Sequence, residues 1–151
     1  MGAAADADTA DNTAANIAVV EAFWDALDRR DFAAVGSMMS ERGHYIDVPL
    51  IGGEDGAFGP AEVEARLRLG LEPLSAYHVQ PGTVVASGDM VITEHAEEWT
   101  WHTGESFLVR FCSVQEVRHG KIDRWWDYLD MSQLLAAAPP WWIEHVMVGY
   151  K

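Results

Sequence analysis

The chain has 151 residues, enough for one domain with a sizeable core and too few to expect two. Its 24 acidic side chains outnumber 10 basic ones, for a formal charge of -14. Phosphate backbones and anionic lipid surfaces reward clustered Lys and Arg, which are absent here, so nucleic acid and membranes are excluded as partners and a small, neutral or apolar molecule fits better.

Cys112 is the only cysteine, which rules out an internal disulfide and lends no support to secretion. The opening MGAAADADTADNTAA is small and acidic, unlike a signal peptide, and no uncharged apolar run reaches membrane-spanning length. The cytoplasm is the expected location.

Residues 1–12 offer nothing to bury and are expected to form a disordered lead. A first helix should begin near Thr13 with Ile17, Val20, Trp24 and Leu27 inward and Asp25 and Asp28 outward; a second, from Asp31, uses Phe32, Val35 and Met39 and is ended with the help of Gly43. His44 to Leu50 alternates as a strand with Tyr45 and Asp47 on one side. A Gly-rich loop follows to Pro60, where a helix striped by Val63, Leu67 and Leu71 starts, to be closed by Pro73.

From Ser75 the period becomes strand-like. Candidate strands are Tyr77 to Val85, bent or interrupted at Pro81-Gly82, then Met90 to Trp101, Glu105 to Arg118 and Lys121 to Leu129, with short turns that favour antiparallel neighbours. Helices followed by a curved antiparallel sheet imply an α+β fold, a cone whose internal cavity would be the site. Ser132 to Ala138 can make one or two helical turns, closing a single domain over 13–138. The apolar tail 139–151 is expected to pack on the domain, the pocket or a subunit interface.

The stretch VITEHAEEWTW, Val91 to Trp101, places Val91, Thr93, His95, Glu97, Trp99 and Trp101 on one strand face. An ionisable pair among bulky aromatics reads as a pocket floor. In IDRWWDYLD the same alternation groups Asp123, Trp125, Asp127 and Leu129, with Trp126 turned away. Glu97 and Asp127 in one apolar cavity would repel each other and lose hydration, so one stays protonated while the other remains a base, as general acid-base work requires. Solvent-side acids are the alternative reading of both, and Glu94 and Glu98 are assigned to that outer face. His95 could orient the carboxylates or shuttle a proton, or be a half-buried histidine bonded to a backbone carbonyl. Tyr45 and Asp47 could hold a water. Trp99, Trp101, Trp125 and Phe107 are candidate substrate walls, or core. The six histidines form no metal signature, and GGEDG is neither a phosphate loop nor a dinucleotide fingerprint, so no metal and no cofactor are expected.

Through YIDVP, TEHAE and RWWDYLDM the chain resembles, over roughly residues 15–135, the cone-shaped superfamily of nuclear transport factor 2, ketosteroid isomerase, the SnoaL-like polyketide cyclases and limonene-1,2-epoxide hydrolase, the last branch most closely. That branch carries a tyrosine and asparagine two apart, an arginine and aspartate two apart, and an aspartate just before an aromatic. By position the resemblance implies that Asp127 deprotonates a water, Glu97 protonates an epoxide oxygen, His95 stands where an arginine bridges the acids, and Tyr45 holds the water beside Asp47, which replaces the asparagine. Three of five positions differ. The resemblance therefore implies a cofactor-free enzyme on a hydrophobic small molecule, in its narrow form an epoxide hydrolase giving a vicinal diol. Lyase, dehydratase, isomerase or cyclase chemistry on a hydroxylated aromatic or polyketide-like substrate stays open, as does a non-enzymatic binding module. It also implies a homodimer.

Overall fold

The computed structural model describes residues 2–48 and 55–149, with the backbone alone for 2–11. Most of the Gly-rich loop, 49–54, and the last two residues of the tail lie outside the described residues. Among the described residues the fold is α+β, with five helices laid against a curved, unclosed sheet of seven strands, as the expected cone requires.

Helix α1 spans Gly2–Asp28 and buries Val20, Phe23, Trp24, Ala26 and Leu27. The helix thus starts ahead of Thr13, in the stretch expected to be disordered. Absence of buriable side chains argues only about packing, whereas alanine favours the helix locally. Asp28, expected to face outward, is half-buried instead: its Oδ1 accepts the Val79 amide at 2.7 Å and lies 2.8 Å from His78 Nδ1, tying the helix end to the sheet. Asp31 caps α2 (Phe32–Met38) by accepting the Ala34 amide at 3.1 Å. Gly43 plays no part in ending α2, which gives way to a strand at Met39. Pro60 opens α3 (Gly59–Leu71), where Val63, Leu67 and Leu71 are all buried.

The strands are β1 (Met39–Asp47), β2 (Ala57–Phe58), β3 (Leu74–Gln80), β4 (Val84–Ser87), β5 (Met90–Trp101), β6 (Ser106–Arg118) and β7 (Lys121–Leu129). Their order is β2-β1-β7-β6-β5-β3, with β4 also on β5. Pro81-Gly82 separates β3 from β4, and a Cβ at Gly82 would run into the Glu94 carbonyl oxygen, so only glycine lets the chain pass so close to β5. β5, β6 and β7 are antiparallel neighbours, while β1 joins β7 in parallel. That parallel pairing sets Tyr45 beside Trp125 and Asp47 beside Asp127. Helices α4 (Met131–Ala137) and α5 (Pro140–Gly149) complete the chain. Among the described residues, no helix is long and apolar enough to cross a membrane.

Candidate active site

A cavity of about 330 Å³ opens between the inner face of the sheet and α3, α4 and α5. Its polar lining comes from Tyr45, Asp47, Glu97, Asp127 and, from α3, Arg66. The walls are otherwise apolar, with Trp99, Phe111 and Trp125 from the strands and Trp142, Ile143 and Val146 from α5. The expected tail therefore supplies one wall of the pocket.

Alternation along each strand and register between strands bring the acids together. Asp127 is buried on the inner face of β7. Its Oδ1 accepts the Ser113 hydroxyl at 2.5 Å and the Trp125 indole N–H at 2.7 Å. Burial first, then the adjacent Asp47 and after it Glu97, push the Asp127 carboxyl well above the ordinary carboxylate range; the two donated hydrogen bonds oppose the shift. Asp47, half-buried, accepts the Tyr45 hydroxyl at 3.2 Å on each oxygen, and the Tyr45 ring stacks on Trp125 at 4.0 Å between centroids.

Glu97 is buried on β5, where its Oε2 accepts the Trp99 indole N–H at 2.9 Å. His95 Nε2 lies 3.4 Å from Glu97 Oε1, at ion-pair distance but outside hydrogen-bond geometry, and neither ring nitrogen has a hydrogen-bond partner. The imidazole is packed between Trp24, 4.2 Å away, and Phe111, 5.3 Å away and parallel. It lies beneath the cavity and reaches one acid only, so the expected bridge between Glu97 and Asp127 is not built as a direct contact.

Two of the four aromatic candidates, Trp99 and Trp125, line the cavity. Trp101 does not: it is packed behind them against Trp99 and Trp142. Phe107 faces a separate, more polar hollow with Glu98, Arg110 and Gln133. Trp126 takes the other side of the sheet, under the Arg124 guanidinium at 3.8 Å. Glu94 and Glu98 are exposed, as expected of the outer face.

Four polar residues were not singled out from the sequence. Ser113 and its neighbour Gln115 interrupt an inner-face alternation of Phe107, Val109, Phe111 and Val117, and that interruption was a readable signal. Tyr77 has a buried hydroxyl without a hydrogen-bond partner; burial and the nearby Glu97 carboxylate hold its phenol well above the ordinary value. Arg66 directly precedes the buried Leu67 in α3, and no sequence pattern separates it from a solvated arginine. Among the described residues, no group of three or more His, Cys, Asp or Glu side chains is arranged to hold a metal ion.

Solved structures with a similar fold include an epoxide hydrolase of Mycobacterium tuberculosis described as LEH-like, 26% identical over 83% of this chain and 90% of its own, with a TM-score of 0.69. TerC, co-crystallised with polyporic acid, is 21% identical over 82% of this chain and 97% of its own, with a TM-score of 0.70. A putative SnoaL-like polyketide cyclase from Jannaschia sp. is 16% identical over 85% of this chain and 96% of its own, also at 0.70. Among curated proteins no match is found. The SnoaL-like domain model matches residues 20–125, from the middle of α1 to Trp125 two residues short of Asp127, and the chain belongs to the SnoaL-like domain family.

Proposed function

We propose that the chain is a cofactor-free acid-base enzyme whose substrate is an apolar, uncharged small molecule, and that its reaction is hydrolysis of an epoxide to a vicinal diol by direct attack of water. The observation that carries this reading is the convergence of Asp47, Glu97, Asp127 and Tyr45 on one apolar cavity. A base that abstracts a proton from water works best with a pKa near the operating pH, and burial moves Asp127 in that direction. With Oδ1 occupied by Ser113 and Trp125, Oδ2 is the oxygen left for the water. The water gives one proton to Asp127 as its oxygen bonds to carbon; the carbon–oxygen bond of the epoxide breaks and the leaving oxygen takes the proton of Glu97. Tyr45 fixes Asp47, and Asp47 accepts the second proton of the water as a hydrogen bond. Trp99 holds Glu97 in place through its indole N–H.

A second reading has a specific support. The acids share their cavity with the aromatic walls Trp99, Phe111 and Trp125, which suit a hydroxylated aromatic substrate undergoing proton transfer in a lyase, dehydratase, isomerase or cyclase reaction. The test is product identity. A panel of cyclic and aromatic epoxides, run in single-turnover reactions in oxygen-18 water, is expected to give diols carrying one labelled oxygen. Unlabelled diol would indicate an enzyme ester and overturn direct attack. Failure of every epoxide, together with products of hydroxylated aromatics that gain no water, would establish the second reading. A binding module would tolerate Asp127→Asn and Glu97→Gln without loss of function, whereas the enzyme reading requires turnover to be lost with ligand binding kept.

A further inference from the structure

A second group of polar side chains lies on the inner face of the sheet, behind the carboxylates and outside the cavity lining. Ser113 stands at its centre. Register places Thr93 opposite it on β5 and Asp127 opposite it on β7, while alternation places Gln115 next to it along β6 and His95 on the diagonal. All five are buried. The Thr93 hydroxyl, both amide atoms of Gln115 and both ring nitrogens of His95 have no hydrogen-bond partner, and neither does the indole nitrogen of Trp24, whose ring closes the group from α1.

Val91, Val109 and Val117 on the same face show what a purely structural lining looks like. Hydroxyl, amide and imidazole groups buried together without partners are strongly disfavoured, and the usual remedy is internal water bonded to two to four of them. We propose that Thr93, His95 and Gln115 hold internal water behind the acids, and that this water, bonded to the Ser113 oxygen, keeps the Ser113 proton turned toward Asp127. Ser113, Thr93 and Gln115 are then positioning residues. A serine hydroxyl has one proton and a free rotor; a donor at its oxygen from behind fixes that rotor, so the 2.5 Å bond to Asp127 Oδ1 is made by Ser113 as donor. Oδ2 is thereby kept for the cavity. The water site stands on its own, whereas its importance for turnover rests on the catalytic reading of Asp127 given above.

The other ionisable groups around Asp127 are Tyr45 and Asp47 from β1, Glu97 and His95 from β5, Tyr77 from β3 and Arg66 from α3, and the test leaves all of them in place. The Asp127 carboxyl is followed by carbon-13 NMR titration in the full chain and its Ser113→Ala, Thr93→Val, Thr93→Ser and Gln115→Leu variants, beside a high-resolution crystal structure of the unaltered protein. In Ser113→Ala the midpoint is expected to rise by about one pH unit, the usual scale for a lost hydrogen bond to a buried carboxylate. Thr93→Val and Gln115→Leu shift it upward by less, and Thr93→Ser, which keeps the hydroxyl, does not shift it. The crystal structure is expected to show water bonded to Thr93 and Gln115. A dry interior, or titrations of Thr93→Val and Gln115→Leu that superimpose on the parent, overturns the proposal. If Thr93→Val does not fold, Gln115→Leu against Thr93→Ser decides it. Turnover of Asp127→Asn is read separately: an active Asp127→Asn removes the catalytic reading and leaves the water site standing.

Discussion

On the proposed function, Asp127 would link activity to stability at the scale of a single residue. Its folded pKa is raised by burial and by Asp47, so between the unfolded value, about 3.9, and the raised value the folded chain holds a proton that the unfolded chain has lost. That contribution to stability is fully present below the unfolded pKa and is lost as pH rises through the folded one. Replacing Asp127 by Asn removes the ionisable group, and with it this decline. Above the window the variant is expected to be more stable than the parent by about 1 kcal/mol or more, read as a rise in Tm that disappears near pH 3. Turnover falls by about 10²–10⁴-fold, the usual worth of a positioned base. A variant both less stable and inactive would show that the carboxylate serves packing instead. Glu97→Gln is expected to lose turnover by a similar factor with ligand affinity kept. If Asp127 is the base, the acid limb of the activity profile is expected above the ordinary carboxylate range, because that base must ionise against burial and Asp47; a limb near pH 4 would remove Asp127 from that role.

Among the elements, α5 shapes the cavity more than its place at the end of the chain suggests. Trp142 is buried against Trp99 and Trp101, and its indole N–H donates to the Gly70 carbonyl at 2.9 Å, pinning α5 to α3. Trp142→Ala removes a wall and that tie at once. The Michaelis constant is expected to rise about tenfold or more while kcat changes less, since the acids are held by the sheet and not by α5; an equal fall in kcat would mean that α5 also orders the carboxylates. Much of this was legible in the sequence. Period-two alternation put Glu97, Trp99, Trp125 and Asp127 on inner faces, and Pro81-Gly82 marked the break between β3 and β4. Pairing between distant strands was not legible, because alternation tells which face a residue occupies and not which strand lies next to it. The parallel β1–β7 register that sets Asp47 beside Asp127 is such a pairing; family resemblance implies only that Tyr45 and Asp47 belong with the acids. The fate of Trp101 and Phe107 was hidden for a related reason: both alternate correctly, but Trp101 is covered by Trp142 from α5 and Phe107 lies on a separate hollow, and alternation does not tell which element covers a given stretch of strand.

Charge over the whole molecule acts on the same cavity from two distances. The chain carries a formal charge of -14, and three carboxylates face the pocket, with Arg66 the one basic side chain among the described residues that line it. An anionic ligand is repelled during approach by the surface charge and again in the pocket by the buried acids. Salt weakens the first effect, since the screening length falls from about 10 Å at 0.1 M to about 3 Å at 1 M, but reaches the second poorly. Titration calorimetry of a neutral ligand and its carboxylate analogue separates the two. The neutral ligand is expected to bind with a Kd independent of salt. Its analogue should bind at least about tenfold more weakly at 0.1 M, recover part of that loss at 1 M, and remain the weaker ligand, because the acids inside the cone are not screened. Equal affinities at high salt would place the whole discrimination on the surface and would argue that the carboxylates of the cavity are neutral at the working pH.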